Sequence, residues 1–367
     1  MYPEIFYRIA LQYLEDYKSG ALKEMLRLSG SATAIFEDPE KWRKQVNKKV
    51  QQKPLPRITE EIRRVVEKEL AMMESQGISY CFCTDGSYPY RLHSCTDAPL
   101  GFYYRGNADI FQHQHCIAMV GTRDATEYGR QCVRKVVREL QEADVVTISG
   151  LAYGIDTEVH SRSVEYDIPT VAVMGCGFST IYPYQNQSLA QRILESGGAL
   201  VSEYPYYTAP DRNNFPRRNR IIAGMSDAVL VVETGYKGGS IITAHIAQSY
   251  NRDVFAMPGS LFDGTHDGCH NLIHKNIAAL VSSGQEIINL MNWEKTAAPR
   301  QMQLFADLDA TEQRIVSLLR EETVLSIDQL AERLTELSPS SLAGQLLGLE
   351  LKGVIEARPG KSYAIVR

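Results

Sequence analysis

Three guanidinium groups fall within four residues at Arg217, Arg218 and Arg220, beside Phe215 in the run Asn214-Phe215-Pro216-Arg217-Arg218-Asn219-Arg220. Such a local excess of arginine, in a chain whose net charge is −5, points to a bound anion. A second cation stands in Lys237-Gly238-Gly239-Ser240, with Thr243 one helical turn on. A lysine and a glycine-permitted backbone approach at a helix start suit a phosphate. No Gly-Lys-Ser/Thr triplet ends that loop, so it is not a Walker A sequence. A third cation, Arg123, sits in Gly121-Thr122-Arg123-Asp124-Ala125-Thr126, where Gly121 allows a sharp turn and the Thr126 hydroxyl can cap the next helix. There is no G-x-G-x-x-G, which disfavours a dinucleotide cofactor. Rings beside guanidinium groups are the ingredients of single-stranded nucleic-acid binding, because rings stack on bases while cations follow phosphates.

Other loops supply support for such a groove. Ser149-Gly150-Leu151-Ala152-Tyr153-Gly154-Ile155-Asp156 carries two glycines and an acid at a helix start, where the helix dipole favours the carboxylate. Gly175-Cys176-Gly177 precedes Ile181-Tyr182-Pro183, and Ser202-Glu203-Tyr204 leads toward the arginine run. Of that run, Arg217 and Arg218 read as phosphate contacts. Arg220 and Asn219 read as braces, with Glu203 or Asp227 as the acidic partner.

These loops need a parallel sheet to hold them. From about residue 116 to 290, short β-branched runs alternate with amphipathic segments of 10 to 15 residues, the pattern of βαβ units. Strands are expected at Ile117–Val120, Val145–Ser149, Thr170–Met174, Ala199–Ser202, Ala228–Val232, Val254–Ala256 and Ala279–Val281. Their uniformly apolar character suits strands covered on both faces. The result is a doubly wound α/β sheet, with ligands outside the carboxyl ends of its strands. Before it, short helices are joined by Ser29-Gly30-Ser31, a longer helix covers Ile58 to Ser75 and stops at Gly77, and Ile78 to Cys83 is a strand. After it, a polar connector around Glu294 to Arg300 leads to helices at Thr311–Arg320, Ile327–Leu334 and Ser338–Lys352. A two-stranded ribbon from Val354 to Val366, turning at Pro359-Gly360, completes the order of a winged helix. The expected domains are 1–105, 106–293 and 305–367, with a linker at 294–304.

Composition narrows the class. A chain of 367 residues with pI near 6.0 is not generally basic, which argues against nonspecific polyanion coating. Seven cysteines without framework spacing and no leading basic-plus-apolar segment point to a reducing cytoplasm. No apolar run approaches the roughly 18 residues needed to span a bilayer, so no membrane is expected as a partner.

The block from Gly121 to Leu280 resembles the DNA-processing protein A family (DprA, also called Smf). The likeness runs through Gly121-x-Arg123, Ser149-Gly150-x-Ala152-x-Gly154-Ile155-Asp156, Gly175-x-Gly177, Tyr182-Pro183 and Ser202-Glu203. It continues through Asn214-Phe215-Pro216-x-Arg218-Asn219-Arg220, Gly239-Ser240-x-x-Thr243-Ala244, Pro258-Gly259 and Asn271-Leu272-Ile273. The resemblance implies an extended Rossmann domain, a helical SAM-like front domain and a winged-helix tail. It implies binding and protection of single-stranded DNA and loading of the RecA recombinase during natural transformation, with single-strand binding protein as a further partner. Arg123 and Lys237 match the family's DNA-contacting cations, and the glycines around Gly239, with Ser240, match the wall of a nucleotide-receiving pocket. It implies a homodimer, and holding a flexible strand at more than one point favours one too. The apolar stretch near Ile273 to Ile288 is the expected interface. Departures are Asp16-Tyr17-Lys18-Ser19-Gly20, with a single glycine in the first helical hairpin, Gly238-Gly239-Ser240 in place of Ser-Gly-Ser, and Asn276-Ile277-Ala278 in place of Gly-Ala.

Other chemistry is disfavoured. His113, His115 and Cys116, Cys81 with Cys83, and His266 with Cys269 and His270 lack the paired spacing of a closed zinc site, so no metal and no cofactor are expected. Cys176 and His160 have no third orienting group, and no catalytic residue is expected. The rival reading is a nucleoside monophosphate phosphoribohydrolase of related fold, but the turn after Gly238-Gly239-Ser240 carries no carboxylate. Between Asp307 and Arg367, ten acidic and seven basic residues give the tail −3, and its third helix has one lysine. Duplex reading by that helix is therefore not expected.

Overall fold

The structure is a computed structural model that describes residues 2–14, 16–46, 51–262, 264–293, 308–322, 324–358 and 360–365. Among the described residues, five α-helices open the chain: α1 Glu4–Ala10, α2 Ser19–Ser29, α3 Ala32–Glu37, α4 Pro39–Gln45 and α5 Glu60–Gln76. Side-chain caps start three of them, from Ser31, Asp38 and Thr59. Gly77, at φ 61°, closes α5, where a left-handed residue is needed and a Cβ would be strained. Phe6, Ile9, Met25, Ile35 and Val66 are buried in one core beneath them.

The chain then builds a nine-stranded sheet. Its elements are β1 Ser79–Phe82, α6 Tyr90–His93, β2 Gly101–Gly106, β3 Cys116–Val120, α7 Glu127–Leu140, β4 Val146–Ser149, α8 Ile155–Glu165 and β5 Thr170–Met174. They continue with α9 Gln187–Glu195, β6 Ala199–Ser202, α10 Asn214–Gly224, β7 Ala228–Val231, α11 Gly239–Ser249, β8 Asp253–Ala256, α12 Asp267–His274, β9 Ala279–Leu280 and α13 Gly284–Leu290. The strand order is β1-β2-β6-β5-β4-β3-β7-β8-β9. From β6 to β9 all neighbours are parallel, while β2 runs antiparallel to β6 and β1 antiparallel to β2.

Alternation along β3 shows why both faces are covered. Ile117 and Met119 pack with Val133 and Val136 of α7 and Ile287 of α13. Ala118 and Val120 pack with Ile221 of α10, Ala244 of α11 and Leu272 of α12. A fully apolar strand is the signature of that arrangement. The expected doubly wound sheet is therefore present, with its seven expected strands close to their expected bounds.

Two strands were not anticipated. β2 pairs with β1 and, through Tyr103 opposite Ser202, with β6, so the sheet continues across the expected 105/106 boundary. Its partner β6 lies nearly a hundred residues on, a pairing that local pattern cannot reveal. In the tail, α14 Ala310–Glu322, β10 Val324–Ser326, α15 Ile327–Arg333, α16 Pro339–Leu351, β11 Ile355–Arg358 and β12 Ser362–Ile365 form a winged helix. Its sheet has three strands in the order β10-β12-β11, because short β10 adds to the expected ribbon. Ser326 and Gln329 form a reciprocal capping box that sets α15 immediately after β10. The expected linker 294–304, and Pro359 and Val366 of the ribbon, lie outside the described residues.

Among the described residues no helix is long and apolar enough to cross a membrane.

Candidate nucleic-acid groove

The chain winds from β3 to β6 on one side, then crosses back to β7 and continues to β9 on the other. Between β3 and β7 the helices that follow diverge to opposite faces, and a crevice must open at the carboxyl ends. A groove of about 770 Å³ lies there, lined by Gly121–Asp124 after β3, Asp156 of α8, and Thr234–Ser240, Ile242 and Thr243 after β7. Arg212, Phe215, Arg218 and Asn219 stand in its remaining wall, with Tyr182, Pro210 and Pro216 among the others.

Arg123 is exposed and its guanidinium lies 5.1 Å from the centre of the Phe215 ring, so the cation is held at the mouth by a ring face. Lys237 is exposed on the opposite lip. Behind it, α11 begins with no side-chain cap and no acid in its first turn. Its N–H groups and the positive end of its dipole are left for a ligand. Ser240, 5% exposed, lines the groove there, and its Oγ has no hydrogen-bond partner in the described structure. Thr243 is buried a turn deeper along the same wall.

The arginine run divides differently from the sequence expectation. Arg218 is 3% exposed, and its Nη1 donates to the Gly150 carbonyl at 2.6 Å and to the Val173 carbonyl. It is a floor residue tying the ends of β4 and β5 together, not a free phosphate contact. Its side chain had to run inward because α10 presents that position to the sheet with Ile221 and Ile222. Arg217 is exposed but does not line the groove. Arg220 is the expected brace: its Nη2 reaches Glu203 Oε2 at 2.6 Å. Asn219 accepts from Arg218 Nε at 3.2 Å. Asp227 is engaged elsewhere, by Arg91.

The remaining braces serve the backbone. Asp156 accepts from Gly150 N at 3.1 Å and Ala152 N at 3.4 Å, and burial raises its carboxyl pKa while Arg218 pulls it down. Gly154, at φ 75°, lies so close to the loop after β3 that a Cβ would stand 2.3 Å from the Thr122 carbonyl. At Gly150 a Cβ would meet the Arg218 guanidinium at 2.5 Å. Between them Leu151 is fully buried at φ 57°, an unfavourable conformation for a bulky side chain, and Asn186 Nδ2 holds its carbonyl at 2.9 Å.

Several groove residues escaped the sequence reading, Pro210, Arg212, Thr234, Gly235 and Tyr236 among them. Arg212 stands alone in Pro210-Asp211-Arg212, with only its charge as a signal, and Tyr236 and Ile242 sit between recognised positions. Glu233 was also missed. It is fully buried at the end of β7, and its Oε2 accepts from Thr126 N at 3.0 Å and Thr126 Oγ1 at 3.2 Å. Thr126 in turn caps α7 through Gly129 N at 3.1 Å. An acid directly after an apolar strand was the available clue.

The disfavoured chemistries have structural explanations. His160 is fully buried, its Nδ1 lies 2.8 Å from Thr170 Oγ1, and burial pulls its pKa down to about 3. Cys176 donates to the Thr180 carbonyl, and burial raises its pKa. His113 approaches Asp144 at 3.2 Å, and His115 stacks on Trp293. Among the described residues no group of three or more possible ligands could hold a metal ion, and the seven cysteines are unbridged.

Comparison with known proteins bears on the family and the fold. Residues 79–292 match the family model described as DNA recombination-mediator protein A, and residues 298–361 match the DprA winged helix domain. Protein Smf of Synechocystis is 34% identical over 313 residues, covering 76% of this chain and 78% of that protein. The X-ray structure of DNA processing protein A from Streptococcus pneumoniae superposes with TM-score 0.65 at 30% identity, covering 79% of this chain and 98% of that one. The Helicobacter pylori protein of the same name, solved to describe its single-stranded DNA binding mode, superposes with TM-score 0.53 at 28% identity over 58% of this chain and 96% of that one.

Proposed function

We propose, for a chain that belongs to the DNA recombination-mediator protein A family, that the groove between β3 and β7 holds one strand of DNA and protects it. The carrying observation is the uncapped start of α11, with the buried, unpartnered Ser240 Oγ, facing a groove whose two lips bear Arg123 and Lys237. Phosphates lie against the two lips and the helix start, with Arg212 extending the path. Gly239, where a Cβ would meet nothing within 4 Å, lets the strand approach the backbone, whereas the expected approach at Gly121 and Gly238 is corrected: a Cβ there would meet Ile155 and Thr234 Oγ1, respectively. Arg218 and Arg220 act through the loops they hold. The single-stranded DNA binding named for the Helicobacter pylori relative supports reading the ligand as a single strand.

The role is binding rather than catalysis. The acids that line the groove are Asp124, exposed on its lip, and Asp156, engaged with backbone N–H groups. A panel of nucleoside monophosphates should release no base. The bound strand is delivered to the RecA recombinase during DNA uptake in the cytoplasm, with single-strand binding protein as a further partner. Two copies of the chain act together through the face near Ile273 to Ile288, where Leu280 is 53% exposed.

The test is a titration of labelled oligothymidylate at several salt concentrations. Each phosphate contact should contribute about 0.7 to the slope of log affinity against log salt. Arg123→Ala with Lys237→Ala should weaken binding and flatten the slope by about 1.4. Unchanged affinity in a folded double variant refutes the site.

A further inference from the structure

Among the described residues, eight large aromatic side chains are exposed, and all but Tyr2 lie on loops or first turns that follow the carboxyl ends of strands. Four of these seven have local roles. The Tyr128 hydroxyl donates to the Pro258 carbonyl and that of Tyr153 to Gln185, Tyr182 packs 5.5 Å from Phe215, and Tyr207 lies under Lys68. No side-chain hydrogen bond or ring contact among the described residues occupies Tyr184, Tyr236 or Phe262, which are 76%, 60% and 97% exposed. These three follow β5, β7 and β8. At the usual strand spacing of about 4.8 Å, β5 and β8 stand about 19 Å apart, with the groove between them.

We infer that Tyr184, Tyr236 and Phe262 are a row of base-stacking platforms, so that the strand crosses the sheet edge from β5 to β8 rather than entering the groove end-on. The inference rests on reading the groove as a single-strand site. A single exposed ring is ordinary on a protein surface, but these three share the strand-end edge that carries the groove and its cations. A protein partner would favour one contiguous apolar patch with a charge-depleted centre. Here the rings are separate, and the exposed cations Arg123 and Lys237 lie between the two ends of the row. Alternating rings and cations match a chain of unpaired bases joined by phosphates. A duplex keeps its base faces stacked and could not use them.

The experiment compares wild-type protein with Tyr184→Ala, Phe262→Ala and their combination. The probes are a fifteen-nucleotide oligothymidylate and an abasic oligonucleotide of equal length. Each ring removed should lower oligothymidylate affinity about tenfold, leave the abasic affinity within about twofold, and leave the salt slope unchanged. Phe262→Trp should retain binding. Because both rings are exposed, thermal unfolding should not move. Oligothymidylate affinity within twofold of wild type in the combined variant overturns the inference. If wild type binds and its slope responds to Arg123 and Lys237, that result leaves the groove itself standing. Wild-type protein that binds neither probe sinks both.

Discussion

Neighbouring arginines in one run do unlike work here. Arg218 sits on the groove floor, so Arg218→Ala should cost about 3 kcal/mol in denaturant unfolding, from charged hydrogen bonds lost and carbonyls left unpaired. Arg217, exposed and off the groove, should change neither stability nor strand affinity by more than about twofold when replaced by alanine. Sequence shows that both are cationic, but the direction of a side chain depends on which face of α10 meets the sheet. A buried histidine adds a pH dependence. His160 titrates near 3 in the folded chain, against about 6.5 unfolded. Below pH 6.5 the unfolded state binds the extra proton, so its contribution is complete above that value and is lost as pH falls toward 3. The stability slope there should be about 1.4 kcal/mol per pH unit for this group, and His160→Asn should remove it in urea melts run between pH 6 and 4.

Among the elements, the turn from β4 into α8 holds the groove open. Gly154→Ala places a Cβ against the Thr122 and Arg123 carbonyls in a left-handed conformation, so it should cost about 1 to 3 kcal/mol and weaken strand binding by displacing Arg123. Retained affinity and stability would show that this turn does not set the position of Arg123. The parallel strands were legible because each is apolar along its whole length, a local property. β2 and β10 were not, since β2 depends on a distant partner and β10 is three residues long. The glycine-bearing loops were legible as mouths, while their convergence on one crevice followed from the reversal between β3 and β7.

Across the whole molecule, one buried ion pair joins parts that sequence reading separated. Arg91, in α6, donates from Nε to Asp227 Oδ1 at 2.7 Å and from Nη2 to Oδ2 at 2.6 Å, and also to the His113 and Gln114 carbonyls. Arg91→Ala leaves Asp227 buried without its partner and should cost about 3 to 5 kcal/mol. The winged helix docks nearby, where Arg358 reaches the Tyr90 hydroxyl at 3.2 Å. The one lysine expected on its third helix, Lys352, is bound to Glu312 at 2.6 Å, and Leu347 and Leu351 of α16 are exposed. A chain ending at residue 293 should therefore keep its single-strand affinity within about twofold in the same titration. A larger loss would place DNA on the tail.

By itself the sequence determined the doubly wound class, the seven strands from β3 to β9, and the glycine-bearing mouths with their cations Arg123 and Lys237, because periodicity, turn chemistry and charge are local. Only the tertiary structure decided that Arg218 turns inward, that Arg212 and Tyr236 belong to the groove, and that Asp227 answers Arg91. Those outcomes depend on which helix face packs on the sheet and on where the strand order reverses. Both are settled by burial between residues far apart in the chain.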